Sequence, residues 1–339
     1  MKELTEHATL LRWVAQAQAH DFEYSLGQLS GLSSHLPMAV IALARLGASD
    51  ERLDEFGRRY SPRLRPFGRS ADRVDAKNWR QTLGQSDLGP DYVAFFQREV
   101  QSRGRDATLR AYLPTLVPGV SGAAFHALIR LAYGLDAELD SEVTYGLAYW
   151  SVAYLELGEI PDCGVPCSEP DDLLSQVRQS PPLPSGAPST GSGLIFDRMA
   201  EVASRPGFAT YAGAFAPNDD ALRRLALASA RLFSATADFI ALHAVTATHA
   251  LRLALPYLGN EQRALRYFWQ ALLGAYVTIG CPELRATPLE IPEWNEIMTR
   301  AIHSNDEHVI KLVYTCSREE AHYRNELFQR IAAQKIANV

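Results

Sequence analysis

The residues best placed to do chemistry lie near the C-terminal end, in SNDEHVIKLVYTCSREEA, residues 304–321. Ser304 and Glu307 stand in capping-box spacing, which predicts a helix from about Asn305 with His308 in its first turns. On that helix His308 and Lys311 are i and i+3, neighbours on one face, with Val309, Ile310, Leu312 and Val313 around them. The chain has four lysines, Lys2, Lys77, Lys311 and Lys335, among 33 basic residues, and Lys311 alone sits in an apolar run. Burial would lower its pKa and leave a neutral amine, able to form a Schiff base, act as a general base, or take up carbon dioxide and become an anionic carbamate. A lysine whose stem covers apolar surface while its head reaches water is the plainer alternative, and this stretch leaves both open.

Of nine histidines, His35, His126, His243 and His308 stand out because each falls on an apolar helical pattern, three of them near a helix start. The positive end of a helix disfavours the imidazolium and keeps the imidazole in the neutral form that ligates metal. A hydrogen-bonded core histidine is the alternative for each one singly. His243 and His249 are six residues apart and point to well-separated faces of a straight helix. No HExxH, ExxH pair, GxSxG elbow, GxGxxG or phosphate-binding loop is present, and Ser121 in PGVSGAA reads as a helix cap.

The elements that must carry these residues are helical. Apolar periodicity dominates and alternating strand-like segments are hard to find, which predicts an all-α protein, a single multi-helix domain over 1–339. Helices are expected over about 5–19, from Ser34 as N-cap to Gly47, over 89–103, 105–113, from Ser121 through His126, over 138–157, over the long pattern 219–255, and over 260–281. Residues 160–193, rich in Pro, Gly and Ser, are expected to be irregular, as a linker or as a loop or lid over a site.

Composition narrows the function classes. With 47% apolar residues the chain can bury a large core, and a net charge of −6 without a basic run gives nucleic-acid binding no support. No uninterrupted apolar run approaches a membrane span, and four cysteines give no disulfide framework, so a cytoplasmic protein with reduced thiols is expected. Cys163 and Cys167 lie close in sequence without a second pair to make a zinc knuckle.

Four blocks, SSHLPMAVIALARLGAS, VPGVSGAAFHALIRLAYGL, FIALHAVTATHALRLALPYL and NDEHVIKLVYTCSREE, resemble in order and separation the questin oxidase-like family. The resemblance runs from about Leu26 to Ala321. That family includes Baeyer–Villiger-type oxidases and non-heme iron dioxygenases that open rings of anthraquinones and related polyketides. What the resemblance implies is Fe(II) held by His35, His126, His243 and His308 together with a carboxylated Lys311, and dioxygen as co-substrate. Lys311, His126 and His308 are then the expected catalytic residues. A second histidine found in several relatives three positions after the first is replaced here by Met38, and His249 is the reserve for His243. The implied partner is a small aromatic or quinone-like molecule in an apolar pocket, with Phe125, Arg130, Tyr133, Phe239 and Thr246 flanking it. The alternatives are an oxidase of the same fold drawing electrons from NADPH, a non-catalytic binding protein for an aromatic metabolite, and a histidine-only zinc site.

Overall fold

A computed structural model describes residues 4–26, 29–162, 165–180, 193–285 and 288–337. Among these, sixteen α-helices and one antiparallel hairpin, Glu23–Leu26 with Leu29–Ser33, make up the regular structure. The architecture is mainly α, as the periodicity predicts. The hairpin was not expected; its two strands are only four and five residues long, too short for alternation to register. One continuous apolar core extends from Leu4 to Ile336, with Trp150 and Trp269 fully enclosed.

Four helices set the centre of the molecule: Leu36–Leu46, His126–Asp136, Phe239–Ala254 and Glu307–Tyr323. Each packs against two of the others, so that they close a ring in the order just given. A fifth, Asp140–Val152, lies against the second. Close approach there depends on Gly146, where a Cβ would come within 2.5 Å of the Leu131 Cα.

Several boundaries move for identifiable reasons. The long pattern over 219–255 is two helices, Ala221–Thr236 and Phe239–Ala254. Between them Ala237 takes φ +51°, and the Asp238 carboxylate caps the second helix by accepting from the Ile240 N–H at 2.7 Å. His243 therefore lies near a helix start, as the other three histidines do. The expected irregular stretch 160–193 contains a helix, Pro170–Gln179, opened by Pro170 and the acidic Asp171 and Asp172 and anchored by buried Leu173, Leu174 and Val177. Residues 163–164, Cys163 among them, and 181–192 of the proposed loop or lid lie outside the described residues. Cys167, Cys281 and Cys316 are free thiols.

Among the described residues one stretch, Phe239–Tyr257, is long and apolar enough to cross a membrane by length and composition, and 72% of that window is buried inside the fold. Its apolar surface packs on Ala221–Thr236 as well as on the other helices of the ring. Met38 is likewise wholly buried in the core.

Candidate metal centre

The ring of helices brings four imidazoles into a ring of their own. Centroids of His35 and His126 are 4.7 Å apart, His126 and His243 4.5 Å, His243 and His308 5.4 Å, and His308 and His35 4.6 Å. Potential ligand atoms of His35, His126 and His308 lie within 4.8 Å of one another. The Nε2 atoms of His126 and His243 are 3.0 Å apart. All four come from the start of a helix, so four positive helix ends meet around one point.

Each ring is held by a local device. Asp306, not Ser304, is the N-cap of the last helix of the ring: its Oδ1 accepts from the His308 N–H at 2.8 Å and from the ring Nδ1 at 3.3 Å. Ser304 instead accepts from the Asp306 N–H at 3.1 Å, and Glu307 pairs with Arg63 at 3.1 Å, so the capping box does not form. His243 Nδ1 donates to the Phe239 carbonyl at 2.7 Å. His35 is itself the N-cap residue, one place before the helix that Ser34 was expected to cap, and its backbone N–H donates to Tyr60 Oη at 2.8 Å.

His126 has the most unusual support. Ala123, Ala124 and Phe125 take φ of 46°, 52° and 70°, three left-handed residues in succession. That turn carries the Ala123 carbonyl back beneath the ring, where His126 Nδ1 donates to it at 2.6 Å. Non-glycine residues in this conformation cost about 1 kcal/mol or more each, and such strain collects at functional sites. Gly122 admits no side chain, because a Cβ would sit 1.9 Å from the Ala153 carbonyl oxygen. Ser121 does not cap the helix; its hydroxyl donates to the Leu155 carbonyl at 2.7 Å.

These hydrogen bonds fix the tautomers. A carbonyl only accepts, so Nδ1 of His126 and of His243 must carry the proton, and each Nε2 of the neutral rings presents a lone pair. Two lone pairs then face each other across 3.0 Å. A proton between them would make an imidazolium, and burial, together with the neighbouring charges, drives both pKa values well below the ordinary histidine value. Burial lowers His35 and His308 as well. His308 Nε2 and His35 Nδ1 are buried with no hydrogen-bond partner among the described residues. Inward-facing, unprotonated nitrogens at this density fit a cation.

Lys311 completes the arrangement. It is wholly buried, its Nζ has no hydrogen-bond partner among the described residues, and burial lowers its pKa to about 7, with Glu307 and Asp306 only partly opposing. A charge on Lys311 would act on all four imidazoles. The neutral amine is the form that this setting favours. The snorkelling alternative does not hold, because the amine does not reach the surface.

A cavity of about 360 Å³ opens over His35, His126 and His308, with Tyr24, Leu32, Ser33, Phe196, Arg198 and Phe239 among its walls. Of the five residues expected to flank a pocket, only Phe239 lines it. Arg130 instead forms a buried ion pair with Glu142 at 2.6 Å, and Phe125 packs on Phe268. Tyr133 lies against Tyr314, and the Thr246 hydroxyl turns back to the carbonyls of its own helix. Sequence reasoning missed Ser33 and Arg198 because the hairpin and the helix Ile195–Ala203 carry no histidine and no chemical motif. His249 is remote from the cluster in role: its Nδ1 is 2.6 Å from Glu319 Oε1.

The chain belongs to a recognised class. The chain matches the questin oxidase-like family over residues 32–316, and it is a member of that family. Among its relatives is the protein named Oxidoreductase AflY of Aspergillus parasiticus, 25% identical over 334 residues, a match covering 84% of this chain and 67% of the relative.

Proposed function

We propose that the protein is an oxidoreductase of the non-heme iron oxygenase type, acting on a planar aromatic or quinone-like molecule of polyketide character. The observation that carries the proposal is the inward-facing set of unprotonated imidazole nitrogens with a buried, unpartnered amine beside it, at the base of a cavity. Membership of an oxidase-like family and the name of the fungal relative support the reaction class.

His35, His126, His243, His308 and Lys311 would hold the metal. Imidazole suits Fe(II), and a carbamate on Lys311 would add a hard anionic oxygen. Its formation balances simply: the neutral Nζ bonds to the carbon of carbon dioxide, one N–H proton leaves, and an anionic carboxylate results. Bound here, Fe(II) would supply the activation of dioxygen needed to insert oxygen into, or cleave, a ring C–C bond of the substrate.

The chain's own residues provide the setting. Four helix N-termini favour an anion and neutral imidazoles at one point. Phe239 lies edge-on to both His243 and His308, with centroids 4.6 Å away in each case, and is half-exposed to the cavity, where a flat substrate can pack on it. Arg198 brings a guanidinium to an otherwise mainly apolar wall and gives one N–H to the Thr278 carbonyl at 3.1 Å. Its remaining donors suit a phenolate or carboxylate on the substrate.

The test is elemental analysis of protein purified without chelator, followed by oxygen uptake with a hydroxylated polyaromatic, with and without NADPH. About one iron per chain and NADPH-independent uptake are expected. Uptake strictly dependent on NADPH would favour the Baeyer–Villiger-type oxidase. Protein without metal that still binds the aromatic would be a binding protein, and stoichiometric zinc without uptake would make the site a zinc centre.

A further inference from the structure

Ser33 lines the cavity, and behind it lie two groups that the metal centre does not use. Glu23 and Ser33 are directly paired across the hairpin and so project from the same face. Tyr149, from the helix Asp140–Val152, bridges them: its Oη is 2.6 Å from Ser33 Oγ and 3.3 Å from Glu23 Oε1. The Tyr149 ring is buried and stacked on Phe22, with centroids 5.0 Å apart, which leaves its hydroxyl little freedom to turn elsewhere.

Donor and acceptor rules fix the order of protons along this chain. A carboxylate can only accept, so Tyr149 donates to Glu23. With its single proton committed, Tyr149 accepts from Ser33. Ser33 in turn keeps only lone pairs for a ligand in the cavity. We propose that Ser33, Tyr149 and Glu23 form a proton relay that recognises a hydroxyl group on the ligand and carries its proton away to Glu23.

The step balances without any change of oxidation state. The ligand O–H bond breaks as a Ser33 O–H bond forms; the proton that Ser33 carried passes to Tyr149, and the one that Tyr149 carried passes to Glu23. The result is a ligand oxyanion and a neutral Glu23 carboxyl. Ser33 is the group that touches the ligand, and Tyr149 and Glu23 act through it. The inference rests on the cavity being the substrate site and narrows the substrate to one with a phenolic or enolic hydroxyl.

Charged neighbours set the working range. Burial, with the Asp21 carboxylate beside it, pushes the Glu23 carboxyl above its ordinary range, while the Tyr149 hydrogen bond and Arg65 pull it part of the way back. Arg130 faces Tyr149, whose own pKa burial drives well above the ordinary phenol value, so the phenol stays protonated between transfers. Below the Glu23 pKa the carboxyl can donate, and the whole chain reverses.

The experiment uses the metal-free protein titrated with 2-naphthol and with 2-methoxynaphthalene, which keeps the oxygen as an acceptor and lacks the proton to donate, with binding read by fluorescence from pH 5 to 8. Wild-type protein is expected to prefer 2-naphthol by about 5- to 10-fold at pH 8, the worth of one hydrogen bond, and to lose that preference as the pH falls through the Glu23 pKa. Tyr149→Phe should abolish both the preference and its pH dependence. Glu23→Gln, whose amide oxygen still accepts from Tyr149, should keep the preference and lose the pH dependence. A Tyr149→Phe protein that retains the wild-type profile, or a Glu23→Gln protein that retains the pH dependence, overturns the relay. Should Tyr149→Phe not fold, the Glu23→Gln profile decides alone. Equal binding of the two probes by wild-type protein overturns the relay and leaves the cavity as the substrate site. Failure of both to bind overturns the reading of the cavity, and the relay with it.

Discussion

His243 and His249 occupy the same helix, are both buried, and do opposite things. Around His249 the charges are paired: Glu319 Oε1 receives the ring at 2.6 Å and the Arg252 guanidinium at 2.6 Å, and of that carboxylate only Oε2 is left without a partner among the described residues. Nearby, Tyr314 donates to Asp136 at 2.7 Å, and Arg45 pairs with the same carboxylate. Around His243 the polar atoms converge without complementing one another, lone pair against lone pair, next to an amine with no partner. The first region is a network of paired opposite charges, which locks packing. The second has its bonding capacity turned inward and unspent, which is the condition for holding something else.

The sharpest way to break this contrast is to remove one converging group. His126→Ala and Lys311→Ala are each expected to abolish stoichiometric iron and all oxygen uptake, as measured by elemental analysis and an oxygen electrode. Full iron content in both variants would refute the five-ligand assignment.

The opposite region should respond in stability instead. Glu319→Ala strands His249 and Arg252 in the interior and is expected to cost about 3 kcal/mol by urea denaturation, because removing one partner leaves buried charge uncompensated. Metal content should not change. A variant that lost iron at unchanged stability would show that the two regions are not separate.

Next in size is a pH effect. In metal-free protein without carbon dioxide, Lys311 has its pKa lowered from 10.5 to about 7 by burial. Between these values the unfolded chain binds a proton that the folded chain does not, so the folded state gains stability as the pH rises through this window. Below about pH 7 the full cost of the buried ammonium applies. Lys311→Met should flatten that rise by about 1.4 kcal/mol per pH unit, seen by comparing urea midpoints of the two proteins from pH 7 to pH 10. Parallel curves would mean that the amine is not buried as described.

The smallest effect sharpens the comparison from the other side. Metal-free His243→Leu is expected to lie within about 1 kcal/mol of metal-free wild type, since replacing a half-satisfied buried polar group by an apolar one of similar size is nearly neutral. A loss like that expected for Glu319→Ala would place His243 in the structural class.

Much of the fold was legible because helices declare themselves locally. Gly47 ends its helix with φ +93°, and Pro and Asp residues open others, as spacing rules require. What failed was the choice among neighbouring polar residues at helix starts. Ser34, Ser121 and Ser304 all look like caps, yet His35, Phe125 and Asp306 hold those positions. Hydroxyls near a helix start have several carbonyls and amides within reach, and only packing selects among them. The break at Ala237 was hidden for a different reason: alanine is the best helix former, yet here it is the left-handed C-cap, its N–H donating to the Phe233 carbonyl at 2.7 Å.

For the site, the anomaly of one lysine in an apolar run was visible from composition, and the four histidines from their apolar surroundings. Their grouping came from the family blocks, since residues on four separate helices share no periodicity. Of the cavity wall beyond the histidines, only Phe239 was legible. Ser33 stands two places before His35 and Glu23 lies outside the family blocks, and nothing short of the hairpin register and the reach of Tyr149 puts them in line.

By itself the sequence determined most of the helices, the apolar faces that bury them, and the odd placement of Lys311, because each follows from interactions within a few residues of chain. The tertiary structure alone decided which nitrogens face inward, that His249 meets a carboxylate while His243 meets another imidazole, and where a ligand can enter. Those outcomes depend on distances between residues 70 to 117 positions apart, and such distances are set only when the helices pack.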